Sequence, residues 1–167
     1  MTQTPARTAL VVTASNRAAA GVYRDTGGPV LVAGLREMGF TVDGPVVVPD
    51  GEEVAVALRA GIDRGYDVVL TTGGTGLTPG DLTPEVTKPL LDKEIPGLAE
   101  AIRNRGRDGG VPTAVLSRGL AGLAGRTLVV NLPGSTGGCR DGLAVLGQVL
   151  MHAVDQAHGG DHPRSGD

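Results

Sequence analysis

Lysine, cysteine and aromatic residues are scarce in this chain, and each scarcity removes a class of function. Only Lys88 and Lys93 are lysines, and neither follows a glycine. The Gly-Lys-Ser/Thr ending of a Walker A loop is therefore absent, and P-loop NTPases are excluded. The single Cys139 cannot form an intrachain disulfide, and no cysteine cluster exists to hold structural zinc or an iron–sulfur centre. A reducing compartment, the cytoplasm, is expected. Two tyrosines, one phenylalanine and no tryptophan leave almost no stacking platform for single-stranded nucleic acid. The formal charge of −3 argues against a general nucleic-acid or anionic-membrane binder. No run approaches the ~18 apolar residues of a membrane span, and the first residues lack the pattern of a signal peptide.

What the chain has in excess is glycine, 28 of 167 residues. The glycines have no period of three and the hydrophobic content of 40% is that of a globular protein, which excludes collagen and bulk disorder. They must sit in turns and loops of one domain, expected over residues 8–157, with polar and mobile ends at 1–7 and 158–167.

Short apolar runs alternate with amphipathic stretches. Strands are expected at 8–14, 41–48, 67–72 and 127–131. Helices are expected from Pro29 to Gly39, after Asp50 with Glu53 completing a capping box, from an N-cap at Thr83, from Pro96, and from about Cys139 to Ala157. The glycine-punctuated segment 107–126 is expected to contain a short strand pair. The fold class is α/β, a three-layer α/β/α sandwich with a mostly parallel sheet.

Ligands of open α/β sheets bind beyond the carboxyl ends of the strands. Four such ends feed loops of unusual content: SNR with a later GVYRDTGG, then PDG, then GGTGLTPGD, then LPGSTGG. In the third, Gly73, Gly74 and Gly76 let backbone amides approach an anion, with hydroxyls from Thr71, Thr72 and Thr75. A phosphate can be held this way without lysine. It is not a dinucleotide fingerprint, because Pro79 stands where the third glycine would be. In the fourth loop, the turn from Asn131 through Pro133, Gly134 and Ser135 puts amides at a helix start, again suited to an anion.

Asp50 reads either as a helix N-cap or as a ligand. Asp81, inside the glycine-rich loop, reads as a solvated loop acid or as a partner of Asp50 in holding Mg²⁺. Arg17, Arg24 and Arg118 are candidate anion clamps or surface arginines. Asp25 either pairs near Arg24 or caps the turn before Gly27. Cys139 is read as a packing residue, and His152, His158 and His162 as non-catalytic. GLAGLAG at 119–125 offers an apolar surface, a candidate interface.

In this order the segments resemble the molybdopterin adenylyltransferase family, the Mog/MoaB-type proteins of molybdenum-cofactor biosynthesis and the G domains of gephyrin-like proteins. The matching motifs are S-x-R-x-x-x-G-V-Y-x-D-x-x-G from Ser15, Pro49-Asp50, TTGGTG from Thr71, D-x-T-P-E from Asp81, PTAVLSR ending at Arg118, and NLPGS from Asn131. The resemblance implies Mg²⁺-dependent transfer of AMP from ATP to the phosphate of molybdopterin, in a homotrimer of that family's three-layer fold. It further implies that the TTGGTG loop and the PGS turn cradle pterin and phosphate. Ser15, Ser117 and Asn131 complete the substrate-binding set, and Asp50 and Asp81 serve the nucleotide chemistry and the metal. A partner that inserts molybdenum into the product is a further implication. Many relatives have a proline or lysine after the PGS-type turn; here Thr136, Gly137 and Gly138 intervene and Arg140 is the nearest base. Two other readings stand beside the transferase: a non-catalytic molybdopterin carrier or scaffold, and a nucleotide-pyrophosphate hydrolase of the same fold, as in competence-damage-type proteins.

Overall fold

Strand β1 (Thr8–Ala14) is buried almost throughout, and its β-branched run sits in the middle of the sheet as such runs do when both faces are covered. The computed structural model describes residues 5–160. The ends expected to be mobile lie partly outside them, at 1–4 and at 161–167, the latter including His162.

After β1 come a one-turn helix α1 (Asn16–Ala19), helix α2 (Gly27–Glu37), strand β2 (Thr41–Val48), helix α3 (Glu52–Asp63) and strand β3 (Val68–Thr72). A long loop leads to the short α4 (Thr83–Thr87) and a 3-10 turn, then strand β4 (Lys93–Glu94) and helix α5 (Pro96–Asp108). A second 3-10 segment (Pro112–Leu116), strand β5 (Ala121–Ala124), strand β6 (Thr127–Leu132) and helix α6 (Thr136–Ala157) complete the chain. The sheet order is β2-β1-β3-β6-β5-β4; the first four strands are parallel, while β5 runs antiparallel to β6 and β4 antiparallel to β5.

Side chains alternate across the sheet, so it feeds two cores. One holds Val11, Leu70 and Val130 with Leu31, Ile102 and Leu146 from α2, α5 and α6; the other holds Val12, Val69 and Val129 with Val54 and Leu58 from α3. This is the expected three-layer sandwich.

Several local expectations change. Segment 107–126 holds one strand, not a pair, because β5 finds its partners outside the segment, in β4 and β6. GLAGLAG is consequently sheet interior, with Ala121 and Ala124 buried and a β-carbon on Gly122 falling 2.4 Å from the Lys93 carbonyl oxygen. Leu120 and Leu123 are half-buried, so the segment keeps part of its apolar surface but is not an open face. Helix α6 starts at Thr136, three residues before Cys139, because the Ser135 hydroxyl accepts the Gly138 N–H at 3.0 Å as N-cap. Thr83 lies inside α4, whose cap position is Leu82, and it makes no cap bond of its own.

Helix α6 is anchored at its far end as well. His158 meets the Asp67 carboxylate at 2.7 Å, and Arg7 pairs with both Asp67 and Asp155. Asp67 also accepts the Thr8 N–H at 2.7 Å, so the start of β1, the approach to β3 and the end of α6 share one buried carboxylate.

Candidate functional site

The carboxyl ends of β3 and β6 meet at two turns. Gly73 needs its positive φ of 93°, and a β-carbon there would fall 2.2 Å from the Ala14 carbonyl oxygen. A β-carbon on Gly134 would stand 3.4 Å from the Gly73 α-carbon, so the two turns touch through glycine.

Beside this contact opens a cavity of about 670 Å³, the size of a small-molecule site. The loop Gly73–Leu77 and Asp81 form one side, Ser117 and Gly119 another, and the turn Pro133–Ser135 with Gly137 and Gly138 the floor. It lies over β3 and β6, one strand away from the β1/β3 position where the crossover direction reverses, the usual ligand position in such sheets. A smaller hollow of about 90 Å³, lined by Ser15, Tyr23, Asp25 and Thr72, lies across the Gly73–Gly134 contact.

The free amides of the glycine-rich loop begin at Gly74. The Gly73 N–H is spent on the Leu132 carbonyl, whereas those of Gly74, Thr75 and Gly76 meet no acceptor among the described residues. At the floor, α6 presents its first-turn amides; Gly138 is taken by Ser135, and Gly137 remains open. Of the candidate hydroxyls, Thr75 and Ser117 line the cavity and bond each other at 3.2 Å.

The remaining polar candidates form its frame. Thr71 is fully buried, and its hydroxyl accepts from the Asn131 side-chain amide at 3.0 Å. The same amide reaches Thr87 at 3.1 Å, and the Asn131 side-chain oxygen accepts the Leu120 N–H at 3.1 Å. Asn131 thus touches the cavity edge with every polar atom engaged. Thr72 donates to the Pro133 carbonyl at 2.7 Å, tying the two turns together. Ser15 caps α1 by accepting the Ala18 N–H and stands at the smaller hollow.

Asp50 is not the N-cap of its own helix. Gly51, at φ 98°, takes that position, which also removes the capping box with Glu53. The carboxylate reaches instead across to α4, accepting the Leu82 N–H at 3.0 Å and the Thr83 hydroxyl at 2.9 Å, besides the Gly51 N–H at 2.7 Å. Three acceptances leave one lone-pair direction, and Asp50 does not line the cavity. Asp81 does line it. Its Oδ2 closes a turn on the N–H and hydroxyl of Thr78, and its Oδ1 accepts no hydrogen bond from the described residues.

For Mg²⁺ the cavity offers only oxygen ligands, since no histidine or cysteine lines it, which suits a hard ion. Among the described residues no cluster of three or more potential ligands forms a cage. The chain supplies the one or two carboxylates that such an ion takes when phosphates supply the rest. Asp81 fits that role as it stands; Asp50 fits it only by releasing bonds to α4.

Of the candidate clamps, Arg118 is fully occupied, and neither Arg17 nor Arg24 lines the cavity. Arg118 donates its main-chain N–H to Thr75, its Nε to the Gly76 carbonyl at 2.8 Å and its Nη2 to the Asp81 carbonyl at 2.9 Å, and pairs with Glu85. That hydrogen bond holds the Glu85 carboxyl below the ordinary glutamate range. Arg118 is a staple of the loop. Arg17 lies over the Tyr23 ring at 5.7 Å. Asp25 takes its capping alternative, accepting from Gly28 N–H and the Thr13 hydroxyl. Cys139 is buried, with its sulfur 3.2 Å from the Thr72 hydroxyl, and desolvation pushes its thiol pKa up.

Sequence reasoning passed over two charged residues of the cavity wall, Arg103 and Asp141. Both lie on helices, outside the loop motifs; the apolar spacing of α5 around Ala99, Ile102 and Gly106 is a signal from which Arg103 could have been placed at a helix edge.

A family model described as a probable molybdopterin binding domain matches residues 10–152. The chain is 37% identical over 151 residues to the molybdopterin adenylyltransferase of Pyrococcus furiosus, covering 88% of this chain and 89% of that one. It is 38% identical over 157 residues to the molybdenum cofactor biosynthesis bifunctional protein of Chlorobaculum tepidum, covering 93% of this chain and 50% of that one. Some curated relatives are thus considerably longer, and the chain spans between 21% and 50% of their length. Among solved structures, the molybdopterin biosynthesis Mog protein from Mycobacterium ulcerans superposes with a TM-score of 0.88 at 49% identity, covering 93% of this chain and 99% of that one.

Proposed function

The chain belongs to the family of probable molybdopterin binding domains, and from that membership we propose that residues 8–157 form a single molybdopterin adenylyltransferase domain. It transfers AMP from ATP to the terminal phosphate of molybdopterin and releases pyrophosphate. The observation that carries this reading is the cavity itself, whose lining combines the unspent amides of Gly74, Thr75, Gly76 and Gly137 with the unengaged Oδ1 of Asp81.

The reaction brings two anions together, because the acceptor phosphate attacks the α-phosphorus of ATP. Alignment and neutralisation are the main tasks. The amides of Gly74, Thr75 and Gly76 hold the acceptor phosphate, and the Gly137 amide faces it from the helix end. Ser117 and Thr75 position the ligand through their paired hydroxyls. Asp81 is the residue that would hold Mg²⁺, and the ion would supply charge neutralisation for the phosphates. Asp50 serves the same chemistry by fixing the N-terminus of α4, and with it the loop that carries Asp81. A phosphate nucleophile is already ionised at neutral pH, so no strong general base is needed, consistent with a cavity lined by no histidine.

The name of the Pyrococcus furiosus relative supports the transferase, and the chain covers most of that protein. We further propose that the protein works in the cytoplasm as a homotrimer and passes its product to a partner that inserts molybdenum. Among the described residues no helix is long and apolar enough to cross a membrane.

Incubation with molybdopterin, ATP and Mg²⁺, followed by detection of adenylylated molybdopterin and pyrophosphate, tests the proposal. Molybdopterin binding without product would make the protein a carrier. Release of AMP or pyrophosphate without a pterin acceptor would make it a hydrolase.

A further inference from the structure

Two charged side chains on the cavity wall take no part in the chemistry above. Arg103 of α5 and Asp141 of α6 are both half-buried, both line the cavity, and come from helices that pack against each other. They nevertheless make no ion pair with each other, and Asp141 accepts no hydrogen bond from any described residue. Arg103 uses Nη1 on the carbonyls of Ser117 and Gly119, at 3.2 and 3.0 Å. A guanidinium has five N–H donors, so the rest of its fork is open.

The surroundings keep the acid accessible. A β-carbon on Gly106 would lie 2.8 Å from the Ala114 β-carbon, so the glycine is what lets α5 close on the 112–116 segment, and at 3.5 Å from Asp141 Oδ2 it places the carboxylate beside that packed corner. Around the two charges the wall is apolar, with Ile102, Val111, Ala114 and Leu116. Half-buried opposite charges that do not pair with each other keep hydrogen-bonding capacity for a ligand, and partial desolvation strengthens the contacts it makes. The ligand that fits presents adjacent N–H donors to the carboxylate and a carbonyl oxygen to the guanidinium.

We propose that Asp141 and Arg103 read the 2-amino-4-oxopyrimidine edge of the pterin, Asp141 accepting from the exocyclic amine and the ring N3–H, Arg103 donating to the 4-oxo oxygen. The inference rests on the molybdopterin reading given above and adds a specificity device to it. A carboxylate facing two parallel N–H donors makes the charge-assisted, two-point contact that fixes orientation as well as energy. Adenine offers a ring acceptor beside its single amine, so it would set a lone pair against the carboxylate. The pair therefore sorts the two heteroaromatic substrates, keeping ATP out of the pterin end.

The test uses 6-hydroxymethylpterin and 6-hydroxymethyllumazine, which carries an oxygen in place of the 2-amino group. Each is titrated against the wild-type protein and Asp141→Asn, with ATP affinity and thermal midpoint measured alongside. The wild type is expected to prefer the pterin. Asp141→Asn is expected to bind it about ten- to hundredfold more weakly and to lose the preference, with ATP affinity and melting unchanged. Retention of the preference in Asp141→Asn, or its absence in the wild type, overturns the proposal. Adenylylation of molybdopterin by the wild type is assayed in parallel. Product formed alongside either overturning result removes this inference alone, whereas no product and no pterin binding removes the functional reading with it.

Discussion

Arg118 donates from Nη2 to the main-chain carbonyl of Asp81 at 2.9 Å, while the Asp81 carboxylate turns back on Thr78. With its bonds to Thr75 and Gly76, Arg118 holds three points of the glycine-rich loop from outside the cavity. A lysine ammonium cannot span these acceptors as a planar fork does. Arg118→Lys should speed amide hydrogen exchange over residues 75–81 and lower kcat/KM for adenylylation about tenfold or more. Wild-type exchange across that segment would contradict the assignment.

The Glu85 carboxyl is held low by Arg118, which fixes the sign of a pH effect. A depressed glutamate contributes above its unfolded pKa, and the contribution is lost as pH falls through the lower, folded value. Protection of the loop in the wild type should therefore persist below the ordinary glutamate range before it declines. In Glu85→Gln this acid-dependent step should vanish. The pair is half exposed, so the global stability change should be small.

Two glycines of the cavity should respond oppositely to alanine. At Gly74 the φ is 67°, and a β-carbon would fall 2.0 Å from Asp50 Oδ2 and 2.2 Å from the Thr83 hydroxyl. Gly74→Ala should destabilise by about 1–3 kcal/mol and abolish turnover. At Gly137, in the first turn of α6, a β-carbon meets nothing within 4 Å. Gly137→Ala should be neutral or stabilising by up to about 1 kcal/mol. Urea denaturation of the two variants checks the contrast, and equal losses would refute it.

Asp50 and Asp81 should separate in their effects. Asp50→Asn turns an acceptor for three donors into a group that is half donor, so stability should fall by about 1–3 kcal/mol together with activity. Asp81→Asn keeps an oxygen for Thr78 and should melt like the wild type, with kcat reduced about 100-fold or more and molybdopterin binding retained. Near-normal turnover in Asp81→Asn would sink the role given to it.

Cys139 should be inert in the native protein. Burial raises its thiol pKa, so the neutral form is favoured on folding; that contribution is present below the unfolded value and lost as pH rises through the folded one. A thiol reagent at pH 8 should leave the folded protein unmodified and label it stoichiometrically in guanidinium. Rapid labelling of the folded state would contradict the burial.

The central strands were legible because a run such as Thr8–Ala14 has one stable place in an α/β domain, the middle of the sheet. The TTGGTG loop was legible because three glycines in four residues exceed what a turn alone requires. Asp50 misled because an acid before an amphipathic run has the local pattern of a cap; the positive φ of Gly51, set by the surrounding fold, sent the carboxylate elsewhere. GLAGLAG misled because small apolar residues look alike on a surface and between two strands. Arg103 and Asp141 escaped notice because each is an ordinary residue on its own helix, and only the packing of α5 on α6 brings them to one wall.

Helix α6 runs 22 residues from the Ser135 cap to the carboxylate shared by Arg7, Thr8 and His158, about 33 Å at 1.5 Å per residue. Pinned at both ends and buried along one side, it behaves as a strut. Its axial position sets how far its first amides project into the cavity floor, so a change at Asp67, on the opposite rim of the sheet, would be felt as a displacement of the anion site. The terminal ion cluster is in that sense a gauge block for the distance between phosphate and Asp81.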